Sequence, residues 1–243
     1  VKGAKKADAL TRILQAASFD GVIVFVKTKN ATLEVAKTLE EKGFRAEALN
    51  GDLAQNARER TVNRLKNKQL DILVATDVAA RGLDVERISH VINYDMPYGV
   101  DPYIHRIGRT GRAGRSGQAI LFVSQNERRL LKNIENTTKQ KIRQISLPSN
   151  KAVNEKRVVD FKRNISSMLE SPDLTDFQQI IESFAKEQER PVAEVAAAVA
   201  KMAHGDSPFY LPADKKEYGA GGEKVPAKPH KKKAAPDAKP GKD

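Results

Sequence analysis

Apolar residues fall into two alternating rhythms along the first 140 positions. Leu10, Ile13, Leu14 and Ala17 recur at helical spacing, which predicts a helix over residues 6–17. Gly21 then opens Val22-Ile23-Val24-Phe25-Val26, a run with no polar break. Such a run predicts a strand covered on both faces of a parallel sheet. A helix over 31–42 follows, with Leu33, Val35, Ala36 and Leu39 inward and Gly43 as its C-terminal stop. Strands are predicted at 45–49, 71–75, 91–93 and 118–123, and helices at 55–67 and 126–138. The alternation implies an α/β fold, a parallel sheet with helices on both faces. Ligands of such sheets sit beyond the carboxyl ends of the strands.

After Pro148-Ser149-Asn150 the rhythm becomes purely helical. Val158, Phe161, Ile165, Met168 and Leu169 form one stripe. A second, Leu174 to Phe184, is introduced by Ser171-Pro172 as cap and first position, and a third starts at Pro191. Three short helices with full apolar faces predict a thin bundle, which must pack on the core or on another copy. From Gly205 onward the chain is rich in lysine, proline and glycine, and order is not expected. It reads either as a solvated linker or as a loose RNA-holding tail.

Composition narrows the classes. The chain has 243 residues, no cysteine and a formal charge of +12. There is no disulfide framework and no thiolate metal site, which suits a reducing, cytoplasmic setting. No apolar run reaches membrane-spanning length. The basic excess lies mainly on residues 1–150, as expected of a nucleic-acid surface, although solubility alone would also account for it. The chain opens Val1-Lys2-Gly3 without an initiator methionine, as a fragment would.

The sharpest chemistry lies in HRIGRTGRAGR at 105–115. Arginine stands at 106, 109, 112 and 115, and glycine at 108, 111, 114 and 117. Glycine lets the backbone turn and approach a ligand closely, and arginine grips phosphate oxygens in a planar fork. The expectation is a phosphate clamp of four guanidinium groups; a disordered glycine-arginine tail is the blander reading. The segment 76–84 offers the Thr76 hydroxyl, Arg81-Gly82 for close approach, and Asp84 as an acceptor for a ribose hydroxyl or an arginine, or as a mere partner of Arg81. Residues 50–53 precede a helix whose first amides could meet a phosphate, with Arg58 one turn in. Asp52 or Asn56 capping that helix is the plain alternative. His105 has no companions at metal spacing. Tyr94, Tyr98 and Tyr103 read as packing residues rather than base-stacking platforms.

Four stretches in order, Phe25-Val26-Lys27-Thr28, Gln55-Asn56-Ala57-Arg58, ATDVAARGLD at 75–84 and HRIGRTGRAGR at 105–115, resemble motifs IV, IVa, V and VI of DEAD-box RNA helicases. The phrasing through Val85-Glu86-Arg87-Ile88 and the helical extension are similar to the bacterial cold-shock members. The resemblance covers residues 1 to about 140 as the second RecA-like domain. It implies Arg109 and Arg112 as arginine fingers, and Gly82, Asp84 and His105 on the nucleotide side, His105 meeting the acidic motif of the other domain. It implies Thr28, Gly51, Asp52, Arg58, Thr76 and Arg81 as contacts to RNA.

No G-x-x-x-x-G-K-[ST] loop and no D-E-A-D motif is present in these 243 residues. In this family those hold ATP and Mg²⁺ on the N-terminal RecA-like domain, so this chain alone is expected to be inactive and that domain to be its partner. The expected organisation is a RecA-like domain at 1–147, a helical extension at 151–204 with homodimerisation as its sharper use, and a disordered tail at 205–243. The resemblance further implies unwinding or remodelling of short RNA duplexes, with cold-shock and ribosome-assembly roles. The rivals are a non-catalytic RNA-binding and dimerisation module, and a DNA-translocating helicase of the same superfamily.

Overall fold

The computed structural model describes residues 5–112 and 114–214. Five strands form one parallel sheet in the order β2-β3-β1-β4-β5. They are β1 Gly21–Phe25, β2 Ala46–Leu49, β3 Ile72–Ala75, β4 Ile88–Asn93 and β5 Gln118–Leu121. The helices are α1 Lys5–Ala16, α2 Lys29–Glu41, α3 Gln55–Lys66, α4 Val100–Ile107, α5 Arg128–Thr138, α6 Asn150–Leu169, α7 Leu174–Glu187 and α8 Val192–His204.

The β-branched run of β1 lies at the centre and every residue of it is buried. Its side chains alternate between faces, as strand geometry requires. Val22, Val24 and Val26 meet Leu10 and Leu14 of α1 and Val35 and Leu39 of α2. Ile23 and Phe25 point the other way, toward Leu65 of α3 and Ala79, Ala80 and Leu83 of the loop after β3. A third cluster of Met96, Tyr103 and Ile134 closes the β4–β5 end. Each fully buried aliphatic side chain contributes roughly 1.5–3 kcal/mol.

Three local expectations are corrected. Leu33 is 57% exposed, and Thr32 takes the inward place instead, its hydroxyl bonding Lys29 O and accepting from Asn50 Nδ2 at 3.0 Å. No helix is expected between the strands at 91–93 and 118–123, yet α4 forms over Val100–Ile107 and overlaps only the start of the arginine–glycine stretch. Helix α7 starts at Leu174 rather than at Pro172, because Ser171 Oγ engages the Asp173 carboxylate and residues 171–174 close a turn. Gly43 does end α2, with φ of 84° and its N–H on Glu40 O at 2.8 Å.

The extension does not close into a bundle within the chain. Helix α6 buries only Val153, α7 only Ala185 and α8 only Val195. Met168, Leu169, Phe177, Ile180 and Met202 are each more than 60% exposed. The first turns of α6 are tied down: Arg12 Nη1 of α1 donates to Pro148 O at 3.2 Å and to Asp214 Oδ1 at 3.1 Å, and Asp214 Oδ2 accepts Asn150 N at 2.7 Å. Disorder from Gly205 onward is therefore not found over 205–214. There the backbone of Pro208, Phe209 and Leu211 bonds Arg157 and Asn154 of α6, and Phe209 packs edge-on against Phe161. Side-chain amides and a guanidinium offset the chain entropy that composition alone left uncovered. The glycine and lysine runs beyond 214 lie outside the described residues.

Candidate functional site

Three of the unusual segments named from the sequence emerge at the carboxyl ends of the strands, whereas the fourth, 105–115, runs back toward their amino ends, where Thr110 bonds Ile88 O at the start of β4 and Arg115 lies near Asp20 before β1. Residues 27–30 follow β1, 50–54 follow β2, 76–84 follow β3 and 94–99 follow β4. The loop after β3 is anchored by Ala79, Ala80 and Leu83, each at most 4% exposed. Thr76 O accepts Ala80 N at 3.0 Å, and the Thr76 hydroxyl accepts Ala79 N at 3.4 Å. Gly82 has φ of 73°, which lets the chain turn outward before Asp84.

The arginines of 105–115 separate into three fates. Arg106, on the inner face of α4, is 1% exposed. Its fork meets both Asp77 carboxylate oxygens at 2.6 and 2.8 Å, and Nη1 donates to Asn93 Oδ1 at 3.1 Å and Asp95 O at 2.7 Å. Its guanidinium carbon lies 5.1 Å from the centre of the Phe25 ring. Arg115 is exposed and lies 3.9 Å from Asp20, before β1. Only Arg109 and Arg112 remain beside the β3 loop, so the expected clamp of four is corrected to a pair.

Arg109 Nη1 donates to Leu83 O at 2.9 Å, and Arg112 Nη1 meets Asp84 Oδ1 at 2.5 Å. Arg112 Nε donates to Gly108 O at 2.9 Å. Asp84 thus pairs with Arg112, not with Arg81. Burial lowers the pKa of Arg109, the neighbouring Arg112 charge lowers it further, and Asp84 partly offsets both. Arg112 alone pairs with the carboxylate while Arg109 bonds a backbone carbonyl, which leaves positive charge for an incoming anion. The loop that carries them is tightly closed. Thr110 Oγ1 donates to Ile88 O at 2.6 Å, and a Cβ added to Gly117 would come within 2.6 Å of Gly111 N. Gly117→Ala is accordingly expected to cost about 1–3 kcal/mol of stability, read as a lower urea midpoint at unchanged slope.

The remaining sequence-predicted residues divide as follows. His105 is exposed and makes no hydrogen bond among the described residues. Arg81 is exposed and forms no ion pair among the described residues. Thr28 is the N-cap of α2, its hydroxyl accepting Ala31 N at 3.1 Å. Gly51 is exposed, and the Asp52 carboxylate is paired with Lys29. The N-cap residue of α3, Ala54, makes no side-chain bond and Asp52 does not cap the helix, but Asn56 Oδ1 accepts Ala57 N at 2.7 Å, so one of the first-turn amides is already taken. Arg58 turns away from those amides and donates to Ala79 O and, at 3.0 Å, to Arg81 O. It ties the start of α3 to the β3 loop. Tyr103 is 8% exposed and burial raises its pKa. Tyr94 packs on Phe122 at 5.7 Å. Tyr98 departs from the packing expectation: its ring is 79% exposed.

Asp77 and Arg106 were missed as a site-building pair. The signal was present, since Val100, Tyr103 and Ile107 stand at helical spacing and place Arg106 on the same inner face. Among the described residues, no group of three His, Cys, Asp or Glu side chains could hold a metal ion, and no helix is long and apolar enough to cross a membrane.

Comparison with known proteins identifies two matched segments. Residues 5–114 match the helicase conserved C-terminal domain, and residues 148–214 match the RNA helicase DeaD dimerization domain. The chain is 51% identical over 217 residues to the ATP-dependent RNA helicase DeaD of Escherichia coli K12, covering 88% of this chain and 34% of that protein. Its Buchnera aphidicola namesake, from the Acyrthosiphon pisum host, is 50% identical over 210 residues, with coverages of 86% and 35%. The chain thus spans about a third of the length of the curated relatives it matches. Among solved structures, the E. coli DEAD-box protein SrmB, bound to the regulator RraA, is 40% identical with a TM-score of 0.56, over 58% of this chain and 85% of that one. Yeast Dbp5 L327V, bound to RNA and ADP BeF3, is 36% identical with a TM-score of 0.52, over 55% and 36%. The chain belongs to the DEAD-box helicases of the DeaD type and carries their helicase C-terminal domain followed by their dimerization domain.

Proposed function

We propose that this chain is the second half of an ATP-dependent RNA helicase motor, contributing arginine fingers and RNA-backbone contacts to a cleft completed by another RecA-like domain. The observation that carries this reading is the placing of Arg109 and Arg112 on Leu83 O and Asp84, in the second half of the loop that joins β3 to β4. Simple RNA grip has no use for paired guanidinium groups beside an acceptor suited to a ribose hydroxyl. In this reading the fingers stabilise charge on the transferring phosphoryl group. Gly82 and Asp84 lie along the nucleotide, and His105 faces the partner domain. Mg²⁺ is expected to take its protein ligands from the other half, as the family resemblance implies.

Thr28, Gly51, Asp52, Thr76 and Arg81 line the strand path, with Lys29 offsetting the Asp52 charge. Arg58 serves that path by holding the β3 loop. Contacts of this kind are to sugar and phosphate, so binding is sequence-independent. The chain alone is expected to bind single-stranded RNA with strong salt dependence and to hydrolyse no ATP. Fluorescence anisotropy with a labelled RNA and its DNA counterpart, at two stated salt concentrations, checks this. Equal affinity for both would favour the DNA-translocating rival.

The exposed stripes of α6, α7 and α8 belong, in the same reading, to a homodimer formed through residues 148–214. Phe177→Asp with Ile180→Asp should convert the chain to a monomer in a sedimentation concentration series. A native chain that stays monomeric at high concentration would refute the dimer.

A further inference from the structure

Tyr98 is the one aromatic ring of the sheet's carboxyl edge that the fold leaves uncovered. It lies at the end of a pinned segment. The Asp95 backbone N–H donates to Phe25 O at 3.2 Å, and its carbonyl accepts Arg106 Nη1 at 2.7 Å. The Asp95 carboxylate accepts Lys27 N at 3.0 Å and Lys6 Nζ at 2.9 Å. Met96 is 2% exposed, and Pro97 is buried with its φ fixed by the ring. Four bonds and two buried residues thus hold the backbone that presents the ring. The ring itself is 79% exposed, and the Lys27 ammonium lies 5.0 Å from its centroid.

A large apolar ring held outward on a fixed backbone gains nothing for folding. It does present a stacking surface whose ordering entropy is already spent. Its surroundings select the ligand. Lys27 leads directly to Thr28 and Lys29, the Lys29 side chain reaches Asp52, and a Cβ added to Gly51 would lie 3.9 Å from Lys29 Cε. Ring, ammonium and the candidate strand path therefore form one continuous strip. Lys27 lies over one face of the ring, so a base would stack on the opposite face while the ammonium stays within reach of a neighbouring phosphate.

We propose that Tyr98 is a base-stacking platform that ends the strand path, so that an unpaired RNA base lies on its ring while Lys27 meets the adjoining phosphate. This rests on the reading of 27–30, 50–53 and 76–84 as an RNA-backbone path, and adds to it a contact with a base. Stacking tolerates any base, because each has a π-face. The consequence is a preference for strands whose bases are splayed and unpaired at that position over duplex, in which every base is already stacked.

The test uses the 243-residue chain, a short oligouridylate, and an abasic ribose-phosphate strand of equal length. Tyr98→Ala is expected to weaken oligouridylate binding by about fivefold to a hundredfold, with abasic binding unchanged. Tyr98→Phe should bind both strands like the native chain. With 2-aminopurine moved along the strand, one position should change fluorescence on binding, and Tyr98→Ala should abolish that change. Equal loss on both strands would overturn stacking in favour of charge or fold. Unchanged binding by Tyr98→Ala would also overturn it, leaving the ring to a protein partner. If the native chain binds neither strand at low salt, the RNA path fails first; if Arg81→Ala weakens both strands while Tyr98→Ala weakens neither, only the stacking platform fails.

Discussion

Arg109→Ala, in a helicase holding this chain beside its nucleotide-binding half, is expected to lower RNA-stimulated ATP turnover by about 10³-fold or more. Among the described residues the guanidinium has one hydrogen-bond partner, the Leu83 carbonyl, and stands beside a second cation. It is therefore held in position but not neutralised, which is the condition for stabilising charge that appears only in the transition state. The loss should fall in kcat, with KM for ATP little changed. Arg109→Lys should not restore the rate, because an ammonium lacks the planar fork. Arg112→Ala should cost a similar factor and in addition release Asp84 from its ion pair. Arg115→Ala is the control: that side chain faces Asp20, before β1, and its loss should leave turnover unaltered. Steady-state turnover of the four variants separates the cases. Retention of native turnover by Arg109→Ala would remove the finger assignment.

Arg106→Ala is expected to destabilise the domain by about 3–5 kcal/mol. The side chain is 1% exposed and serves three groups at once: the Asp77 carboxylate, the Asn93 side-chain oxygen and the Asp95 carbonyl. Asn93 is itself wholly buried. Removing the guanidinium leaves those acceptors without a donor and opens a void beside Phe25. Arg106→Lys keeps the charge but cannot bridge all three, so it should recover only part of the loss. Urea unfolding followed by circular dichroism measures both variants. A shift under about 1 kcal/mol for Arg106→Ala would mean that the network contributes little net stability.

These two arginines show how far the chain could be read before its fold was known. The rhythm of arginine and glycine marks a special segment and places it beyond β4. It does not say which guanidinium faces in and which faces out. That depends on helical phase, and α4 is short, contains Pro102 and runs straight into the glycine-rich stretch. The strands were plain because β-branched runs such as 22–26 have one sensible place, the centre of a parallel sheet. Their ends were less certain, by up to the three residues that separate Val91 from the observed start of β4 at Ile88. The order of 205–214 was not legible because the lysine- and proline-rich chain that follows it dominates the composition, while the short run Phe209-Tyr210-Leu211 is what docks on α6. Asp84 was correctly isolated as an acceptor, while its partner proved to be twenty-eight positions away.

Helix α6 has a mechanical side as well. Twenty residues at about 1.5 Å each make a rod of about 30 Å. It is clamped to α1 and Asp214 at its first turns, and its far end carries Met168 and Leu169 in the open. Any tilt at the clamp is magnified along the rod: five degrees at the base swings the tip by about 2.6 Å. A tilt of that size at the sheet domain would carry the Met168–Leu169 end through about half a helical turn's rise.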